Sequence, residues 1–215
     1  IGQCYFESEQ YEFAVDALKE FTQNYSLNSH IAGAYYFLGE SYSKLDENGL
    51  ALESFKKSID LAGQGEFKTL AFHGLGWAYF RLGKYEEALK SFGTPEDLPD
   101  DPATRASFLF GQARALAKLN RHAEALELYE KVLREFSSSE ITGDAFFWKA
   151  ESLYNLERYA EAAELYEKIL NKLLNAELFD DIQYNLAWAY VRLAKPEEAI
   201  AHFEIVAEKS QDETL

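Results

Sequence analysis

The side chains that most often carry out chemistry are few and scattered in this chain. His30, His73, His122 and His202 are its four histidines and Cys4 is its single cysteine. None forms a close His/Cys pair of the kind that zinc requires. One cysteine excludes a disulfide within the chain. Neither a phosphate-binding glycine loop nor a nucleophile elbow occurs. Glu86-Glu87 and Glu197-Glu198 resemble the paired carboxylates of acid–base catalysis, and Asn24-Tyr25-Ser26 matches a glycosylation sequon that is common by chance. The expectation is a chain with no catalytic residue, no metal ligand and no cofactor.

Binding chemistry is better represented. Residues 77–92 read WAYFRLGKYEEALKSF, and residues 188–203 read WAYVRLAKPEEAIAHF, identical at ten of sixteen positions. Each copy sets an arginine four residues after a tryptophan, Trp77 with Arg81 and Trp188 with Arg192. On a helix that spacing puts both on one face, where a guanidinium can stack on an indole. Aromatic anchors beside cations suit an extended peptide, or a helix with acidic ends.

The elements that position these pairs follow from the distance between them. The copies lie 111 residues apart, three intervals of 37, and stepping by 37 from Ala88 lands on Ala14, Ala51, Ala125, Ala162 and Ala199. A second register holds Gly2, Gly39, Gly76, Ala113, Ala150 and Ala187, so nothing larger than methyl is accepted there. Bulky registers run alongside: Leu18, Phe55, Phe92, Tyr129, Tyr166 and Phe203 form one, and Leu45, Leu82, Leu119, Leu156 and Leu193 form another. Within a unit, Phe72, Leu75, Gly76 and Tyr79 fall at helical spacing, LGKY interrupts, and Ala88, Leu89 and Phe92 resume it. This predicts two short amphipathic helices joined by a tight turn, with small residues allowing close approach. Such a hairpin buries one face and must stack on its neighbours. The carboxylate pairs and their relatives recur at the start of second helices, where they complement the positive end of the helix dipole.

Phe72-x2-Leu75-Gly76-x2-Tyr79 followed by Ala88-x3-Phe92, and Tyr35-x2-Leu38-Gly39-x2-Tyr42 followed by Ala51-x3-Phe55, resemble the tetratricopeptide repeat across essentially the whole chain. The departures are a step of 37 where the family's unit is about 34 residues, and the lack of the family's proline at the end of the second helix. The longer step is similar to that of bacterial envelope members, of the Tol-Pal accessory or outer-membrane-assembly lipoprotein type. The resemblance implies an all-α, right-handed solenoid of stacked helix-turn-helix hairpins. It would form a single array over residues 1–215 with about six repeats, the first incomplete. It also implies a non-catalytic scaffold that binds a protein or peptide partner in a concave groove lined by first helices. Carried over residue by residue, the groove comprises Tyr36, His73, Phe110, Phe147 and Tyr184; then Trp77, Arg114 and Trp188, with Glu40 and Glu151; then Phe80 and Tyr154; and finally Lys44, Arg81, Lys118 and Arg192. That last register is basic in four of five full units, which suits a ligand and equally suits the negative ends of helices. The Lys and Asn arrangement by which chaperone-binding members grip a C-terminal carboxylate is not evident.

Two further features shape the expectation. The third unit breaks early: Gly93 and Pro95 should end its second helix, Asp101-Pro102 should cap and begin the next, and an irregular loop should span 93–102. Glu96, Asp97, Asp100 and Asp101 make that loop a candidate hinge or acidic contact. The net charge of −16 disfavours nucleic acid and anionic membranes, and no run of apolar residues is long enough to span a bilayer. With no methionine and an opening inside a helix, the chain reads as a fragment or processed product. An envelope or periplasmic location is expected over a cytoplasmic one. Two other roles stay open: self-association through the ends of the array, and regulation of an activity located elsewhere in a larger protein.

Overall fold

The computed structural model describes residues 1–63, 65–93, 101–172 and 176–212, with the side chains of 176–177 and 209–212 left undescribed. All regular structure among them is helical. The helices are α1 (Gly2–Glu7), α2 (Tyr11–Asn24), α3 (Ile31–Lys44), α4 (Asn48–Leu61), α5 (Glu66–Arg81), α6 (Tyr85–Gly93), α7 (Pro102–Lys118), α8 (His122–Glu135), α9 (Thr142–Asn155), α10 (Tyr159–Lys172), α11 (Ala176–Arg192) and α12 (Pro196–Asp212). Odd-numbered helices are the first members of hairpins and even-numbered ones the second. α8 shows why they form: HAEALELYEKVLRE is rich in strong helix formers, and its buried Ala125, Leu126, Tyr129 and Val132 lie on one stripe.

Each hairpin turns in the same way. Glu9, Asp46, Gly83, Asn120, Glu157 and Ala194, again 37 apart, all have positive φ between 56° and 72°. The amide after each one reaches back to the same place: Glu47 N–H donates to the Tyr42 carbonyl, Lys84 to Tyr79, Arg158 to Leu153 and Lys195 to Tyr190, at 2.9 to 3.0 Å. This left-handed cap satisfies carbonyls that the helix end would otherwise strand. Only one of the six positions is glycine.

The chain divides into two compact units, Ile1–Ala115 and Leu116–Leu215. In the first, α1 packs on α3 and α3 on α5, whereas α2 and α4 touch only first helices. In the second, α9 contacts α11 directly and α10 bridges them from outside. Within each unit the first helices therefore form an inner layer and the second helices an outer one.

The repeat's small and large registers meet at the core of the first unit. Phe55 is fully buried, and a Cβ added to Gly39 or Gly74 would come within 2.7 and 2.4 Å of its ring. Phe92 is held likewise, with a Cβ on Gly76 or on Gly111 falling 2.6 Å away. Each ring is thus pinned between its own hairpin and the next. In the second unit the corresponding core residue Tyr166 is fully buried beside Ala150 and Ala162.

Residues 94–100 of the loop expected over 93–102 lie outside the described residues. α6 has nine residues where α4 has fourteen, and Asp101 caps α7: its Oδ2 accepts from the Thr104 amide at 2.8 Å and from the Thr104 hydroxyl at 2.7 Å. Those bonds also lower the Asp101 pKa. Glu96, Asp97 and Asp100 lie outside the described residues. The acidic residues expected at the second-helix starts occupy the first turns of α6 and α12.

Candidate peptide-binding face

The candidate residues lie on the inner layer of first helices, and the two units treat them differently. In the first unit they mostly bond to one another. His73 on α5 is half-buried; its Nε2 accepts the indole N–H of Trp77 at 3.0 Å and lies 2.7 Å from the Ser107 hydroxyl on α7. Nε2 is therefore the acceptor and the imidazole is neutral, in keeping with a pKa that burial lowers to about 4. The Trp77 ring is half-buried and meets Phe92 edge-on at 5.2 Å and Phe80 at 5.5 Å. Arg114 lays its guanidinium 5.3 Å over Phe80 and 5.9 Å over Phe110.

The basic end of this face is also engaged. Arg81 donates to the Ser43 carbonyl in the last turn of α3 at 3.2 Å, answering the negative end of that helix. Glu40 stands one helical turn before the exposed Lys44 on α3. Burial raises its carboxyl pKa, and Lys44 and Arg81 pull it back down. Burial also raises the Tyr36 phenol, helped by Glu40 and Glu66, and its ring packs 5.7 Å from Phe67.

Two expected groove residues belong to the core. Phe110 is 5% exposed and Phe147 4% exposed, so neither offers surface to a partner. Both stand at the first groove register, one helical turn before that of the tryptophans.

The second unit leaves its inner face open. Tyr184 and Trp188 on α11 are 48% and 41% exposed. They meet edge-on at 6.2 Å, and each rests an edge on Phe203. Next to them is a cavity of about 310 Å³ lined by Glu151, Tyr154, Asn155, Asn185 and Trp188. Tyr166 donates its hydroxyl to Glu151 Oε1 at 2.8 Å from the buried side. Arg192 turns away from Trp188: it donates to the Tyr159 hydroxyl at 2.6 Å and stacks 4.9 Å over that ring. Lys118, at the end of α7, is exposed. Sequence reasoning placed Glu151 in this row but singled out neither it nor its floor, Tyr166. The signal was the change from phenylalanine to tyrosine along the register of Phe55 and Phe92.

Other features lie off this face. A larger cavity, about 450 Å³, is walled by Leu18, Phe21, Phe37 and Phe67 beside α1. Among the described residues, no group of three or more His, Cys, Asp or Glu side chains could hold a metal ion, and no helix is long and apolar enough to cross a membrane. Cys4 is a free thiol.

Comparison with known proteins agrees with this architecture. Three family models described as tetratricopeptide repeat match residues 73–140 and 110–177, 32–64, and 181–212. Among solved structures, the chain is similar to a tetratricopeptide repeat protein from Parabacteroides merdae, with a TM-score of 0.77 and 17% identity over 96% of this chain and 76% of that one. It also resembles BtubC from P. vanneervenii, with a TM-score of 0.72 and 13% identity over 96% and 90% of the two chains. A third likeness is to YrrB, described as a TPR protein with an unusual peptide-binding site, with a TM-score of 0.64 and 18% identity over 90% and 92%. No curated protein matches the sequence.

Proposed function

This chain belongs to the tetratricopeptide-repeat family, and on that premise we propose that it is a non-catalytic scaffold that binds a peptide or helical segment of a partner on its inner face. The observation that carries the reading is the exposure of Tyr184 and Trp188, at 48% and 41%, beside a cavity on the same face. A fold of this kind consumes most of its aromatics between hairpins. Two large rings left open beside hydrogen-bonding groups supply the anchor-and-rim composition of a binding patch.

The test is a double variant, Tyr184→Ala with Trp188→Ala, assayed for capture of peptides from a random displayed library. The proposal expects loss of capture with helicity and melting behaviour retained. Capture at the wild-type level by a folded double variant overturns it. Trp77 and Arg81 are poorer targets, since their side chains already bond within the fold.

A second reading, self-association, has its own support in the exposed Ile200 and Ile205 of α12, at 55% and 38%. Light scattering over a concentration series decides it: a mass independent of concentration removes this reading. The 37-residue step supports an envelope role of the Tol-Pal accessory or outer-membrane-assembly kind. Recovery of the tagged protein wholly in the cytoplasm of its host would overturn that placement.

A further inference from the structure

Glu40 and Glu151 occupy the same repeat position, 111 residues apart, on α3 and α9. In the first unit the carboxylate has cations from its own chain: Lys44 one turn on, and Arg81 from the next first helix. In the second unit one counterpart is replaced and the other is engaged elsewhere. Asn155 stands at the lysine position, its Nδ2 committed to the Glu151 main-chain carbonyl at 2.8 Å. Arg192 stands at the arginine position but is held on Tyr159 by a hydrogen bond and by stacking. His122 also faces Glu151, and burial lowers its pKa, favouring the neutral form.

Glu151 thus borders a cavity with no cation among its described lining residues. One of its oxygens is engaged by Tyr166, and the other retains acceptor capacity. The walls are Tyr154 and Trp188, whose ring faces attract positive charge. At about 310 Å³ the space stands at the small end of ligand pockets, ~300–1,000 Å³, which suits one side chain and not a whole helix.

Resting on the inner-face reading above, we infer that this cavity receives a lysine or arginine side chain of the bound peptide. The cation supplies to Glu151 the positive charge that Lys44 and Arg81 supply to Glu40. The aromatic walls hold its aliphatic stem, and the net charge of −16 favours approach of a basic segment. Tyr166 acts as a positioning residue that fixes the carboxylate from beneath.

The experiment pans a random-peptide phage library against the full chain and against Glu151→Gln. The variant keeps an oxygen for the Tyr166 hydroxyl, and circular dichroism verifies its fold. Expected are peptides with lysine or arginine fixed at one position. Replacing that residue with norleucine should weaken binding to the wild type roughly tenfold or more, while changing binding to Glu151→Gln little. Trp188→Leu should weaken the same peptides. Peptides without a basic position, or an equal norleucine effect in both proteins, overturn the cation site and leave the inner-face reading intact. Selection of no peptide at all by the wild type overturns both.

Discussion

Trp77 and Trp188 occupy the same position of nearly identical sixteen-residue stretches, each followed by an arginine one turn later, yet their side chains live differently. Trp77 donates its indole hydrogen to His73 and is ringed by Phe80, Phe92 and Phe110. Trp188 is 41% exposed beside a polar cavity. The difference comes from the partners. His73 accepts the indole, whereas Tyr184, its counterpart on α11, leaves Trp188 with an edge contact. A repeat therefore fixes where a side chain emerges, and the neighbouring hairpins decide whether it is spent on packing or left for a ligand.

Removing each ring in turn is the strongest way to break this comparison. Trp77→Ala should lower stability by about 3 kcal/mol, since it empties an aromatic cluster and removes one of the two hydrogen-bond partners of His73 Nε2. Trp188→Ala should cost under about 1 kcal/mol. Chemical denaturation of both variants checks the pair, and equal losses would erase the distinction.

Acid should find the first unit through His73. A histidine whose folded pKa, about 4, lies below its unfolded value of about 6.5 contributes stability that is complete above the unfolded pKa. That stability is lost as pH falls toward the folded value. About 2 kcal/mol should disappear between pH 7 and pH 5, and His73→Asn should flatten that part of the profile. Denaturation midpoints across this range give the measurement, and an unchanged slope in the variant would show that His73 is not the source.

Converting one core into the other gives a smaller effect. Tyr166→Phe removes the hydroxyl that Glu151 accepts and should cost about 1 kcal/mol. The same variant should weaken peptide binding by freeing the carboxylate to reorient. A binding loss without any stability loss would show that the hydroxyl serves the site alone.

The smallest change should be stabilising. Glu157 and Ala194 hold φ of 61° and 56°, a region that penalises a Cβ. Glu157→Gly and Ala194→Gly should each gain about 0.5 kcal/mol after the added freedom of the unfolded chain is deducted. Gly83→Ala should lose a similar amount, and thermal melts of the three proteins order them.

Much of the fold is legible in the sequence because its packing demands recur in kind. Gly39 and Gly76 face aromatic rings and can be nothing larger, so the alanine, glycine and phenylalanine registers announce the hairpins. The start of α7 is equally plain from Asp101-Pro102. The turns are hidden, because Glu, Asp, Gly, Asn, Glu and Ala share one backbone conformation enforced by hydrogen bonds and not by residue type. The site is legible only as a row of positions. Which members are free depends on Ser107, Ser43 and Tyr159, each more than thirty residues from the side chain it engages. Phe110 and Phe147 show the same limit, since the family resemblance puts them in the row while the fold buries them.

Phe55 and Phe92 carry one more consequence. Each ring is wedged between glycines of two successive hairpins, so opening one hairpin strips half the lining from a side chain belonging to its neighbour. Protection from hydrogen exchange in α3 to α6 should consequently be lost in one concerted event, at the free energy of the whole block. The sequence repeat and the smallest piece able to melt are then different lengths. The unit of inheritance in this stretch is one hairpin, and the unit of unfolding is at least two.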